Sequence, residues 1–134
     1  MGTRSTIALE FADGTVEQVY CHWDGYLDHN GDILQHHYMD PFKVKQLLAL
    51  GGFSSLSNTV AETAETAYTG RGEDLSIEKY KNADEYFDLC SGEEYDYILR
   101  NVNGVAVWFV RCYASNGVWV TMAEAITMTK ECAE

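Results

Sequence analysis

The stretch YDYILRNVNGVAVWFVRCY, residues 95–113, decides the centre of the predicted fold. Its two arms, 95–102 and 105–113, are rich in the β-branched and aromatic residues that favour strands. Asn103-Gly104 joins the arms, and this dipeptide accepts the positive φ angles of a two-residue hairpin turn. A second such dipeptide, Asn116-Gly117, leads into 118–120, so the pattern predicts a three-stranded meander.

A second hairpin is predicted near the N-terminus. Residues 6–11 and 16–23 alternate between apolar and other side chains, and Asp13-Gly14 lies between them. In the second arm Val19, Cys21 and Trp23 share one side of the strand. With the meander, this hairpin gives an antiparallel sheet of about five strands.

Three to four helices are predicted around this sheet. Asp40 is a capping residue, Pro41 occupies the first helical position, and Gly51 ends the apolar stripe that follows. Further patterns predict short helices near 30–38, after the box at 82–85 and after the box at 121–124. Residues 54–73 fit neither pattern and are predicted to form a long surface excursion. We expect a single α+β domain over 1–134, with the helices on one face of the sheet.

The charge of the chain restricts its partners. Nine Lys and Arg against 21 Asp and Glu give a net charge of -12. This excess repels nucleic-acid phosphates and acidic membranes, so direct binding to either is not expected. Residues 62–96 hold eleven acidic and three basic residues, a local charge of -8 that predicts one strongly negative face.

The chain is expected to be a soluble, cytoplasmic protein. Its longest apolar run, 105–110, is far below the roughly 18 residues that a membrane helix needs. The first residues show no export pattern. Four cysteines occur without a Cys-x-x-Cys pair, which favours reduced, buried thiols.

The stretch YCHWDGYLDHNGD, residues 20–32, concentrates groups that could do chemistry. His22, Asp24 and His29 are candidate metal ligands, and His36 and His37 follow on a predicted helix. No HExxH or paired-cysteine frame fixes their geometry, so no metal or other cofactor is expected. Cys21 and His22 are neighbours on a strand and project to opposite faces, so they cannot form a nucleophile pair. No catalytic residue is predicted.

The same stretch also fits a binding surface. Trp23 and Tyr26 stand where the strand leaves the sheet, and aromatic residues of this type dominate interface hot spots. Asp24 and Asp28 add hydrogen-bond acceptors beside them. The alternative is that Trp23 belongs to the core. Arg71, between two glycines, either pairs with Glu73 or closes over a ligand.

Several motifs together resemble a family of small proteins from phages, prophages and related mobile elements. They are TRSTIA at 3–8, YCHWDGY at 20–26 and RGE at 71–73, with further likeness at 13–16, 29–31, 43–51 and 94–97. The resemblance implies a bacterial cytoplasm under phage influence. No activity is attached to the family, so it implies no catalytic residues. Near Arg71 the chain reads AYTGRGE and lacks the additional basic or histidine residues of many relatives.

These observations favour an acidic interaction protein that binds and inhibits or redirects a host protein. The expected partner handles nucleic acid, for example a defence component such as a CRISPR effector, and the carboxylates mimic phosphates. The predicted partner-binding residues are Trp23, Asp24, Tyr26, Asp28, Arg71, Glu73, Asp74, Asp84, Glu85, Asp88, Glu93 and Glu94. One alternative is a small-ligand or metal-binding protein with a site around His22, Asp24, His29 and Arg71. A third hypothesis is an assembly accessory that acts as a homodimer.

Overall fold

A computed structural model describes residues 3–67, 77–89 and 93–133 of the chain. Within these residues the protein forms one six-stranded sheet with helices on both faces, so the predicted α+β class is confirmed. The strands are β1 Ser5–Glu10, β2 Val16–Cys21, β3 Glu78–Tyr80, β4 Tyr95–Val102, β5 Val105–Cys112 and β6 Val120–Thr121. The helices are α1 Asp32–His37, α2 Pro41–Leu48, α3 Val60–Ala64, α4 Ala83–Leu89 and α5 Met122–Ala133. A π-helical turn at Leu27–Gly31 precedes α1, and a 3-10 turn at Tyr113–Ser115 follows β5.

The sheet is mixed rather than antiparallel. Its order is β3-β2-β1-β4-β5-β6, and the central pair, β1 and β4, runs parallel while the other pairs run antiparallel. The predicted hairpins are present, because β1 pairs with β2 and β4 with β5. The turn between β4 and β5 has the expected positive φ angles, 54° at Asn103 and 86° at Gly104. The parallel pairing joins two hairpins that are far apart in sequence.

The larger core lies between one face of the sheet and helices α1, α2 and α5. Alternate strand residues such as Ile7, Val19 and Leu99 point into it and are almost fully buried. Helix α2 contributes Val44, Leu47 and Leu48 to the same cluster. As predicted, Asp40 caps this helix, accepting a hydrogen bond from the Phe42 amide at 2.9 Å.

The second face of the sheet is also covered, which corrects the prediction that all helices pack on one face. Helix α4 places Ala83 and Tyr86 against Ala8, Val16 and Ile98. The reason is visible in the central strands, which carry apolar side chains on both sides, as strands covered on both faces do.

The segment 54–67 is more ordered than the surface excursion predicted for it. Thr59 caps α3 by accepting from the Glu62 amide at 3.1 Å, and Thr63 is fully buried. Phe53 forms β-bridges with Cys21 and Ala67, which tie both ends of the segment to the end of β2. Residues 68–73 of the predicted excursion lie outside the described residues.

In the part of the chain that the structure describes, no helix has both the length and the apolarity needed to cross a membrane.

Candidate functional site

The strand registers bring several predicted binding residues to one edge of the sheet. Ser5 is opposite Cys21 and Tyr95, and Tyr95 is opposite Cys112, so one row crosses β2, β1, β4 and β5. The residues just beyond this row therefore share an edge. They are Arg4 before β1, Trp23 and Asp24 after β2, Glu94 before β4 and Tyr113 after β5.

Three aromatic side chains are exposed at or beside this edge. Trp23 is 43% exposed and Tyr26 39% exposed, so the core alternative for Trp23 is not what the structure shows. Tyr113, on the turn after β5, is 93% exposed. We call Trp23, Tyr26, Asp28, Glu94 and Tyr113 the aromatic-acidic edge.

Backbone contacts hold the loop after β2 against the start of β1. The Gly25 amide donates to the Thr3 carbonyl at 2.8 Å, and the Tyr97 hydroxyl donates to the Gly25 carbonyl at 2.6 Å. Asp24 adopts a left-handed conformation with a φ of 56°, which turns the chain here. The buried Asn30 side chain donates to the Ser5 hydroxyl at 3.1 Å. Trp23 and Tyr26 therefore stand on a loop that is fixed to the sheet.

Two exposed carboxylates, Asp28 and Glu94, lie near Tyr95 at this edge. Burial raises the pKa of the Tyr95 hydroxyl, and the carboxylates of Glu94 and Asp28 raise it further. Both residues are exposed, and the charges of both act on the same phenol. Glu94 also accepts a hydrogen bond from the Arg4 amide at 3.4 Å.

The other predicted carboxylates are distributed differently. Asp84 and Asp88 are exposed on α4, which covers the second face of the sheet. The Glu85 amide donates to the Asn82 side chain at 2.8 Å, as the predicted box at 82–85 requires. The Glu85 carboxylate, in contrast, accepts from the Lys81 amide, one residue before the cap. Glu93, exposed, precedes Glu94 next to the aromatic-acidic edge. The exposed carboxylates of the acidic segment 62–96 thus lie on more than one surface of the described structure.

One carboxylate of that segment does not reach the surface. Asp96 is 1% exposed and accepts from the Thr6 hydroxyl at 2.6 Å and the Glu93 amide at 3.0 Å. Arg111 donates two further hydrogen bonds to it, at 3.0 and 3.3 Å. This buried, satisfied ion pair holds β1, β4 and β5 together rather than facing a partner.

The candidate metal ligands are not brought together. His22 shares a 2.7 Å hydrogen bond with the Tyr20 hydroxyl, while His29 shares one of 3.0 Å with the Asn30 side chain. His36 pairs with Asp32 on the exposed side of α1. Among residues 3–67, 77–89 and 93–133, no three His, Cys, Asp or Glu side chains form a group that could hold a metal ion. Arg71, Glu73 and Asp74 lie outside the described residues.

Cys21 is an inert thiol in this structure. Burial raises its pKa, and its sulfur contacts the Asn30 amide and the carbonyls of Trp23 and Ser54. A buried, protonated thiol is a poor nucleophile. The structure therefore gives no support to cysteine chemistry at this position.

Sequence reasoning missed Tyr113, the most exposed aromatic residue of the edge. The sequence pattern predicts it as the last residue of a strand, where alternation alone does not distinguish a buried from an exposed position. The Asn116-Gly117 turn that follows gave the signal that the chain was already leaving the sheet.

No protein-family model, no curated protein and no solved structure matches the chain.

Proposed function

We propose that the protein is an interaction module that binds and inhibits or redirects a host protein. The proposed binding surface is the aromatic-acidic edge, and its partner is a basic protein that handles nucleic acid, for example a CRISPR effector. The observation that carries the proposal is the exposure of Trp23, Tyr26 and Tyr113, with Asp28 and Glu94, at one edge of the sheet.

The composition of this edge suits a protein partner. Tyr and Trp bury a large area with little loss of conformational entropy, and they are enriched among residues that dominate binding energy. Carboxylates beside them favour a basic surface and speed its approach, because the whole chain carries a net charge of -12. Surfaces that bind nucleic acid are basic, so they fit both properties.

The resemblance of the sequence motifs to phage proteins suggests why a host protein would be the target. A small phage protein that occupies the nucleic-acid site of a host defence enzyme protects the incoming genome. The carboxylates of the edge then stand where the enzyme expects phosphates.

Capture from a bacterial host lysate at graded salt tests this proposal. Electrostatic binding at an exposed edge weakens as the ionic strength rises from about 0.05 to about 0.5 M. We expect a retained partner whose amount falls over this range, and whose binding to nucleic acid is inhibited by the purified protein. A partner retained equally at all salt concentrations would remove the mimicry argument.

Two charge-matched double variants distinguish an effect of the edge carboxylates from an effect of the total charge. Asp28→Asn with Glu94→Gln neutralises two carboxylates of the edge, and Asp84→Asn with Asp88→Asn neutralises two on α4. Each double variant changes the net charge from -12 to -10. We expect the edge variant, and Tyr113→Ala, to lose the partner while the α4 variant keeps it. Equal loss from both double variants would show that the edge is not the binding surface.

A further inference from the structure

A groove opens at the opposite end of the sheet from the aromatic-acidic edge. It has a volume of about 630 Å³, and its lining comes from the end of β1, the start of α2 and the turn side of β4 and β5. Concave apolar clefts of roughly 300–1,000 Å³ are typical of small-molecule sites. The size and shape therefore favour a small ligand over a flat protein surface.

The lining of the groove is mostly apolar. Leu9 and Leu99, almost fully buried, belong to the larger core and line the groove, and Phe11 and Phe42 add aromatic surface. Phe42 is 78% exposed, so a large part of its ring has no cover within the described residues. An apolar ligand would bury this ring and remove its apolar surface from water, which favours binding.

The charge of the groove is opposite to that of the molecule. Its lining contains Lys45 and Arg100 against one carboxylate, Glu10. Glu10 is already engaged, since it accepts from Arg100 at 3.2 Å. Lys45 is exposed and forms no ion pair with any described residue. A local positive charge in a chain of net charge -12 is a specific feature of this groove.

We propose that the groove binds a small organic acid with an apolar body, independently of the proposed function of the aromatic-acidic edge. The body lies against Phe11, Phe42 and Leu99, and the carboxylate lies near Lys45. Decanoate is a suitable probe for this class, and decanol is its uncharged counterpart.

A titration with decanoate, followed by amide chemical shifts of the intact chain, tests the proposal. We expect saturable shifts at residues 9–14, 41–45 and 99–106, and weaker binding of decanol. Lys45→Gln should weaken decanoate binding by roughly two- to five-fold, the range for an exposed ion pair. Arg4→Gln removes one exposed positive charge at the opposite end of the sheet, makes the same charge change and should leave the affinity unchanged. Phe42→Ser should weaken binding by at least about ten-fold, and its matched control Tyr113→Ser should not.

Several results would overturn the proposal. One is the absence of saturable shifts, and another is a set of shifts that map to the aromatic-acidic edge. Equal affinity for decanol and decanoate, or an unchanged affinity in Lys45→Gln, would show that Lys45 does not bind the carboxylate. Self-association in sedimentation that Phe42→Ser abolishes would show that a second copy of the chain, and not an organic acid, covers the groove. Because Phe42 is exposed, these variants are expected to fold.

Discussion

A buried tyrosine hydroxyl is one of the groups that connect the loop of the aromatic-acidic edge to the sheet. Tyr97 is fully buried, and its hydroxyl donates to the Gly25 carbonyl at 2.6 Å. We expect Tyr97→Phe to lower the free energy of unfolding by about 1–2 kcal/mol, because the buried carbonyl loses its donor. Urea denaturation measures this change. Tyr113→Phe is the matched control, since its hydroxyl lies on an exposed ring and should contribute nothing.

Tyr97 also predicts that the stability of the protein falls at alkaline pH. Burial, ahead of the neighbouring negative charges, raises the pKa of Tyr97 well above its usual value near 10. The folded state therefore holds this proton more tightly than the unfolded state does. The stabilisation that comes from this pKa difference is fully present below about pH 10, and it is lost as the pH rises through the pKa of the folded state. A pH series of urea midpoints should be flat from about pH 7 to about pH 9 and then fall, and the fall should be smaller in Tyr97→Phe.

Gly25 is required because a larger side chain would not fit there, and not because of its φ angle. A Cβ there would lie 2.7 Å from the Ser5 Cβ and 2.8 Å from the Thr3 carbonyl oxygen, both on or beside β1. We expect Gly25→Ala to cost about 1–3 kcal/mol of stability and to weaken partner retention, because the loop must move away from the sheet. Gly31→Ala is a useful comparison. Its Cβ would meet only side-chain ends at 3.3–3.4 Å, so its cost should be smaller.

At the scale of elements, a buried threonine organises the segment 54–67. The Thr63 hydroxyl donates to the Thr59 carbonyl at 2.9 Å and accepts from the Ser57 amide at 3.0 Å. Thr63→Val keeps the shape but leaves that amide without its acceptor, so we expect a loss of about 1–3 kcal/mol. Hydrogen exchange should accelerate at the amides of 54–67 and stay unchanged in β4. Thr127→Val, on the exposed side of α5, should change neither.

Local chemistry decided which elements could be predicted. The Asn103-Gly104 turn and the Asp40 cap act on adjacent residues, so sequence alone identified the β4–β5 hairpin and α2. The parallel pairing of β1 with β4 joins residues 90 positions apart, and no local pattern encodes it. The three-residue strand β3 lies below the length at which alternation is visible.

In the candidate site, too, the features set by neighbouring residues were predictable, and those set by long-range strand pairing were not. Trp23 and Tyr26 were identified because their composition and position after a strand fit a binding surface. Their proximity to Glu94 and Tyr113 depends on the strand registers, which are long-range. Asp96 was counted with the surface carboxylates because nothing near it in sequence indicates that Arg111 lies on the neighbouring strand.

At the scale of the whole molecule, the charge imbalance has a consequence for stability. Among the described residues, the arginine–carboxylate pairs Arg100–Glu10 and Arg111–Asp96 belong to partly buried networks. The remaining exposed carboxylates repel one another in a chain of net charge -12. Salt screens this repulsion more than it screens the partly buried pairs, since the Debye length falls to about 8 Å at 0.15 M.

We therefore expect salt to stabilise the protein at neutral pH. The unfolding temperature should rise by several degrees, corresponding to about 1 kcal/mol, when NaCl increases from about 0.01 to about 0.15 M at pH 7. The control is the same experiment near pH 4.5, the sequence pI, where the net charge vanishes and the rise should disappear. A rise of equal size at both pH values would point to a general effect of salt on hydrophobic burial. A fall at pH 7 would mean that attractive pairs, and not repulsion among carboxylates, dominate the electrostatics of the fold.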